Sequence, residues 1–596
     1  MVDSLRADGD QKGVLPTGES ALFDEQNIVY EAVDEEPKLH VRTYVALFAM
    51  FLLNLVQVVA LQGPPAVLPY IGSSLNNTPA QTWVPNSLSL VQAVLGPIIS
   101  STSDTFQARK SILIGSCMIS FVGAAIAPGA RSIYRLIVAQ TLIGVGFASV
   151  PLAYCVPSEI CPRRWRPMVQ ASMNIAATLG AIIGPMVIGD FTEKDRQGGW
   201  RKFYWFQMGL WGAIALGLLI GYKPAKRHTR LDHLSRWQKI TALDLPGSAL
   251  LTTGLTSFLT GLNLGGSLYP WTNARVLTTL ILGALILVAF GVYESFGTSS
   301  GILHHDLFAG GKTQGRTFSI CVSLIFIEGV LLFSYVIFYP TLTTSLFETD
   351  PLRLVGRQQP FWVCGAVSTV FWGYWSTRFR TIRDPLLCGF IIFTAGIVGF
   401  ATVQPNQSVN ALAFSGLSGF GFGAPLILII TGVQLSTPHH LIATATAVTT
   451  SARAVAATIF TAIYVAAFTA RLDINLTAEI TANALAAGLP PSSLPTFIEA
   501  LVNNDSAALP NITGVTSSII AAGVTGLKQA FADSIRVVYV IAAPFGLVAS
   551  VACLFIGDLG KTMNYRVDAP LEELRPKQSS VNAPSTPHTN GPNAPT

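Results

Sequence analysis

The chain is poor in charge. Of its 596 residues only 12% are Asp, Glu, Lys or Arg, against about 25% in soluble domains. That shortage excludes a string of ordinary soluble domains. The net charge of +5 is small and spread over many segments, which gives no footprint for nucleic acid. The seven cysteines (Cys117, Cys155, Cys161, Cys321, Cys364, Cys388, Cys553) lie mostly in or beside apolar runs. They form neither a metal-ligand spacing nor a secreted disulfide framework. The pairs His304-His305 and His439-His440 read as solvated groups rather than metal ligands. The glycine-rich run from Gly416 to Pro425 has no strand before it and no Gly-Lys-Ser/Thr after it. Close helix packing explains it better than a nucleotide loop. No metal, cofactor or paired catalytic constellation is expected, and an enzyme is disfavoured.

What the chain does have is apolar length. Half of its residues are hydrophobic and its mean hydropathy is +0.50. Apolar runs recur at bilayer-spanning length, about fourteen in all. The fold class expected is therefore all-α: a polytopic membrane helix bundle with about fourteen transmembrane helices. Residues 1–42 are polar and acidic and lack the basic start and apolar core of a cleaved signal. They read as a disordered cytoplasmic tail. Spans 1–6 fill residues 43–223, a basic connector covers 224–244, and spans 7–14 fill 245–557. The last outer loop, 471–536, is long, with helical stretches over Leu476–Ala487 and Ile519–Ala532. Residues 558–596 are rich in Pro, Asn and Ser and read as a second disordered cytoplasmic tail.

An even span count places both tails on one side. With the tails inside, inner loops carry about twenty Lys and Arg and outer loops about twelve. The Asn-x-Ser/Thr sequons at Asn76, Asn406, Asn475, Asn504 and Asn511 then all fall outside, as candidate glycosylation sites should.

One run organises the rest. Met168 to Phe191 is apolar and contains Gly180, Gly184, Pro185 and Gly189. The glycines allow close backbone approach to a neighbouring helix, and Pro185 bends the helix. A tightly packed, kinked helix would use the same residues. Asp104 and Arg109 close the second span and suit a cytoplasmic charge latch or an ordinary positive-inside anchor. Glu328 and Arg453 are the two ionisable residues placed deep in spans. A charge at that depth faces the bundle interior or a wet cavity. Either could contact substrate, Glu328 could take a proton, or the two could form a structural ion pair.

These segments resemble the major facilitator superfamily. Gly180-x-x-x-Gly184-Pro185-x-x-Ile188-Gly189 resembles its antiporter motif, with Ile188 in a glycine position. Ser100-x-x-x-Asp104 to Arg109-Lys110 resembles its loop signature, with Ser100 and Gln107 in place of glycines. Gln140-x-x-x-Gly144-x-Gly146 resembles an exporter motif whose first residue is arginine. The departure at Gln140 implies that another group takes part in any proton coupling. Glu159-x-x-Pro162-x-x-x-Arg166 matches a further loop pattern. Together with Trp200-Arg201, Asp244-Leu-Pro246-Gly247 and the long outer loop, the chain from Thr43 to Gly557 resembles the fungal trichothecene-efflux-pump-like group.

That resemblance implies a secondary active transporter. The expected activity is efflux of an amphipathic secondary metabolite, mycotoxin or drug across the plasma membrane, coupled to protons. Vacuolar or vesicular membranes are the alternative locations. A proton-coupled siderophore-iron importer and a non-transporting membrane sensor are the alternative functions. The implied partners are a small-molecule substrate, protons and the lipid bilayer, with no nucleic acid and no obligate protein partner. Asp104, Arg109, Gln140, Glu159, Arg166, Gly180, Gly184, Pro185, Gly189, Glu328 and Arg453 are the residues expected to serve transport and gating.

Overall fold

A computed structural model describes residues 30–577 except 225–235, 242, 267, 299–300, 310, 349, 503–504 and 506–507. The chain folds almost wholly into helices, because a backbone in hydrocarbon must satisfy its own hydrogen bonds. The first half comprises α1 (Val41–Ala66), α2 (Trp83–Phe106), α3 (Arg109–Ile126), α4 (Ile133–Ile160, interrupted near Ser149), α5 (Arg166–Lys194) and α6 (Gly199–Gly221). A hairpin follows, α7 (Leu245–Leu264) and α8 (Ala274–Val292). The second half comprises α9 (Gly311–Leu346), α10 (Pro351–Phe379), α11 (Arg383–Phe400), α12 (Ser408–Ser436), α13 (Ile442–Ala486) and α14 (Ser517–Cys553). Among the described residues, eleven helices are long and apolar enough to cross a membrane. The remaining long helices, α2, α7 and α10, have 24, 20 and 29 residues, a set compatible with the expected fourteen.

Two apolar cores divide the bundle. One is built chiefly from α1–α6 around Met50, Leu88, Trp200 and Trp211. The other is built from α9–α14 around Tyr335, Phe361, Phe400 and Tyr539. The α7–α8 hairpin belongs to neither. Its Leu255 and Leu259 pack on Ala93 and Val94 of α2, with Ala454 and Val455 of α13 alongside.

Local chemistry fixes several helix ends. Asp244 caps α7 by accepting from the Gly247 amide at 2.8 Å. Gln107 ends α2 in the left-handed region at φ +52°, the conformation glycine adopts most readily. The Gln107 side chain donates to the Asp104 carbonyl at 2.7 Å and braces that turn. Arg380, between α10 and α11, takes the same conformation in the second half (φ +53°).

The long loop expected to lie outside is mostly helix among the described residues. α13 extends to Ala486 and α14 begins at Ser517. Between them Leu494–Val502 closes a small apolar core with Ile480, Phe497, Leu501 and Ile519. The connector contributes a short helix, Arg236–Thr241, and most of the remaining 224–244 lies outside the described residues.

The described parts of the two tails, 30–42 and 558–577, are held against each other and the bundle. Residues 30–38 and 564–577 pair with each other through backbone hydrogen bonds, including Val567 N to Tyr30 O at 3.1 Å and Lys38 N to Arg575 O at 2.9 Å. Few apolar residues mark these segments, so the pairing carries no signal in the sequence. Their order comes from backbone and charge contacts with the bundle. Residues 1–29 and 578–596 lie outside the described residues.

Candidate functional site: an inner charge network and a buried ion pair

At the end of the first half where α2 meets α3, the end expected to face the cytoplasm, Arg109 joins two carboxylates. Its guanidinium lies 3.1 Å from Asp104 Oδ1 and 2.5 Å from Glu159 Oε1, and it donates to Ser103 Oγ at 3.1 Å. All three charged side chains are buried. A buried arginine between two acids replaces some of the lost water with charge-assisted hydrogen bonds. The other Asp104 oxygen crosses to the second half. It accepts from Thr444 N and Thr444 Oγ1, both at 2.8 Å, at the first turn of α13. A carboxylate there also faces the positive end of the helix dipole.

Arg166 makes a second crossing. It donates to Ser158 O at 3.0 Å, to Gln434 O of α12 at 2.6 Å and to Asp568 Oδ2 at 2.5 Å. Gln170 and Gln434 bring their amides within 3.3 Å, and both donate to the Tyr154 carbonyl. These contacts gather toward one end of the bundle, where they tie the two halves together.

Asp568 also accepts from Arg163, with a closest contact of 2.5 Å. Burial by itself would raise the Asp568 carboxyl. Arg166, the Arg163 hydrogen bond and His439 outweigh it and lower that group to about 2. Its charge is therefore retained throughout the physiological pH range.

Deeper in the bundle, Glu328 of α9 and Arg453 of α13 form an ion pair at 2.7 Å. Glu328 is fully buried, whereas the Arg453 side chain keeps 20% of its exposure. Glu328 Oε1 and Arg453 Nη2 are buried and have no hydrogen-bond partner. Tyr154 of the first half is close enough to feel the charges of both. The pair thus lies where the two halves face each other.

The glycine seam is partly as expected. A side chain on Gly180 would meet Leu55 O of α1 at 2.5 Å, and one on Gly184 would meet Val59 O at 3.0 Å. Two backbones pack there, with no room for a Cβ at Gly180 and only a tight fit for one at Gly184. Gly189 differs: no neighbour lies within 4 Å of its Cβ position, so it takes no part in the seam. The helix has carried it past the α1 contact. Pro185 lies within α5. Gln140 is fully buried with neither amide atom hydrogen-bonded, and it joins neither cluster.

The structure therefore brings together Asp104, Arg109, Glu159 and Arg166, and separately Glu328 and Arg453. Sequence reasoning missed Thr444, Gln434 and Asp568. Gln434, polar within an apolar run, carried a weak signal. Asp568 carried none.

The sequons expected to lie outside also separate. Asn76, Asn406 and Asn511 are exposed. Asn475 lies inside α13 and donates to Ser534 Oγ of α14 at 3.0 Å. Asn504 is outside the described residues.

Residues 27–583 match the sequence signature of the fungal trichothecene efflux pump (TRI12). The chain belongs to the fungal trichothecene efflux pump family. This family is one of transporters rather than enzymes, and the chain is a multi-pass membrane protein. Curated relatives agree with this membership. The chain is 26% identical over 397 residues to the MFS-type transporter ucsD of an Acremonium species, covering 65% of this chain and 64% of that one. It is 23% identical over 418 residues to the MFS-type efflux pump LUC4 of a Fusarium species, covering 70% and 72%. The match to ucsD therefore spans less than two thirds of that relative's length. Among solved structures, the human organic anion transporter MFSD10 superimposes with a TM-score of 0.51 at 12% identity, covering 86% of this chain and 99% of that one. That likeness concerns the fold alone. It assigns this trichothecene-pump relative the major facilitator architecture.

Proposed function

We propose that this pump-family member exports an amphipathic secondary metabolite or drug from the cytoplasm across the plasma membrane, coupled to protons. The observation that carries the reading is the Glu328–Arg453 pair, set between two helical halves whose inner ends are tied shut. A buried acid whose one polar partner is an arginine can exchange that partner for a proton or a substrate group. In this cycle the halves rock about the interior site. The Asp104–Arg109–Glu159 latch and the Arg166–Gln434 contact hold the inner face closed, and their separation opens the site to the cytoplasm. Gly180 and Gly184 let α5 move closely against α1. The LUC4 relative is an efflux pump, which supports the outward direction.

The test is transport in sealed inside-out vesicles under an imposed pH gradient, using a panel of fungal toxins and ferric siderophores. Proton-driven toxin movement away from the cytoplasmic face is the expected result. Siderophore movement toward that face would replace export with import. Binding without movement of any compound would mean a sensor.

A further inference from the structure

The C-terminal segment crosses from one half to the other under the inner face. It leaves α14 seated on the second half: Gly557 N donates to Thr317 Oγ1 of α9 at 3.1 Å, and Gly560 lies against the Arg380 carbonyl. It then binds the α4–α5 loop of the first half. Arg164 N donates to Asn564 O at 2.8 Å, Arg163 N to Arg566 O at 3.0 Å, and Ala569 N to Glu159 O at 2.9 Å. Arg164 also donates to Tyr565 Oη at 2.8 Å, with its guanidinium over the ring. Asp568, 6% exposed, fills the space between Arg163 and Arg166. Residues 30–38 pair with the far side of the segment through backbone hydrogen bonds.

We propose that residues 557–577 act as a built-in strap that holds the cytoplasmic face closed, with Asp568 as its buckle on Arg163 and Arg166. The geometry gives three reasons. The strap is anchored on both halves, so parting of their inner ends must unseat it and is opposed by its contacts. It grips two latch residues directly, Glu159 through its carbonyl and Arg166 through its guanidinium. Its buckle is a buried carboxylate that serves Arg163 and Arg166 and also lies 3.6 Å from Arg566, so loss of that one charge leaves all three cations without it. Release of the strap, followed by opening of the inner face, is then a regulatory step separate from the interior Glu328–Arg453 pair.

The proposal rests on the alternating-access reading above, but its test needs no substrate. Cys161 is a native reporter. It lies between Glu159 and Arg163, both held by the strap, and is 1% exposed. Burial raises its thiol to about 12, against the opposing pull of Arg166. The full chain in lipid nanodiscs is treated with a maleimide, and alkylation of each cysteine is followed by mass spectrometry. Asp568→Asn is expected to speed alkylation of Cys161 on the order of tenfold. Cys117, fully buried in α3, serves as the internal control and keeps its rate. Asp568→Glu, which retains the charge, keeps Cys161 slow. Truncation after Gly560 reproduces the Asp568→Asn result and guards against a local effect of the asparagine. The proposal is overturned if Cys161 stays slow in both Asp568→Asn and the truncated chain. It is also overturned if Cys117 accelerates in step with Cys161, which would show general loosening. Neither result touches the export reading, which the vesicle assay decides.

Discussion

Replacing Arg109 with alanine gives the sharpest test of the inner latch. The guanidinium lies between Asp104 and Glu159 at 3.1 and 2.5 Å, with all three side chains buried. Its removal leaves two carboxylates enclosed, and Asp104 keeps only its contacts to Thr444. Breaking a buried pair from one side costs about 3–5 kcal/mol. The cost falls mainly on the inner-closed state, because opening returns both acids to water. At about 1.4 kcal/mol per tenfold, the equilibrium moves toward the inner-open state by roughly two to four orders of magnitude. The assay is a spin-label distance between Ser111→Cys and Arg383→Cys, exposed positions at the inner ends of α3 and α11. The seven native cysteines are buried or half-buried, and Cys161→Ser removes the thiol that opening of this face would expose, which directs label to the introduced pair. Arg109→Ala is expected to replace the short distance with a long one. Arg109→Lys should fall between, since one ammonium cannot match the fork of a guanidinium. An unchanged distance distribution in well-folded Arg109→Ala protein would refute the latch.

Three further outcomes follow from the same geometry. Gly184→Val should cost about 1–3 kcal/mol by overpacking α5 on α1 and should abolish turnover, whereas Gly189→Val should be tolerated; equal loss in vesicle transport from both would remove the seam. Glu328→Gln leaves Arg453 without its counter-charge, so transport should lose its dependence on the imposed pH gradient, and a retained dependence would exclude Glu328 as the proton site. Asn475→Gln should leave glycosidase-sensitive gel mobility unchanged, because that amide is engaged with Ser534 inside a helical pair. Asn76→Gln should remove one glycan, since Asn76 is exposed in an outer turn; loss of a glycan in Asn475→Gln would reverse this assignment.

By itself, the sequence determined the bundle. A chain with so few charges and so many apolar runs of bilayer length has one economical fold, because hydrocarbon forces each backbone to pair within its own helix. The same logic located Glu328 and Arg453, since an ionisable group inside such a run stands out against its neighbours. It also located Gly180 and Gly184, whose small size is meaningful wherever they point. Partnership was a different matter. That Glu328 meets Arg453 across 125 positions, that Asp104 caps the helix beginning near Thr444, and that Gly189 faces open space depend on how helices rotate and cross. Helical periodicity places residues on a face but does not say what that face meets. The strap was least legible of all. Its residues are polar and low in periodicity, which reads as disorder, and their order comes from Arg163, Arg166 and Glu159, some four hundred positions away in the chain and adjacent only once the two halves have closed.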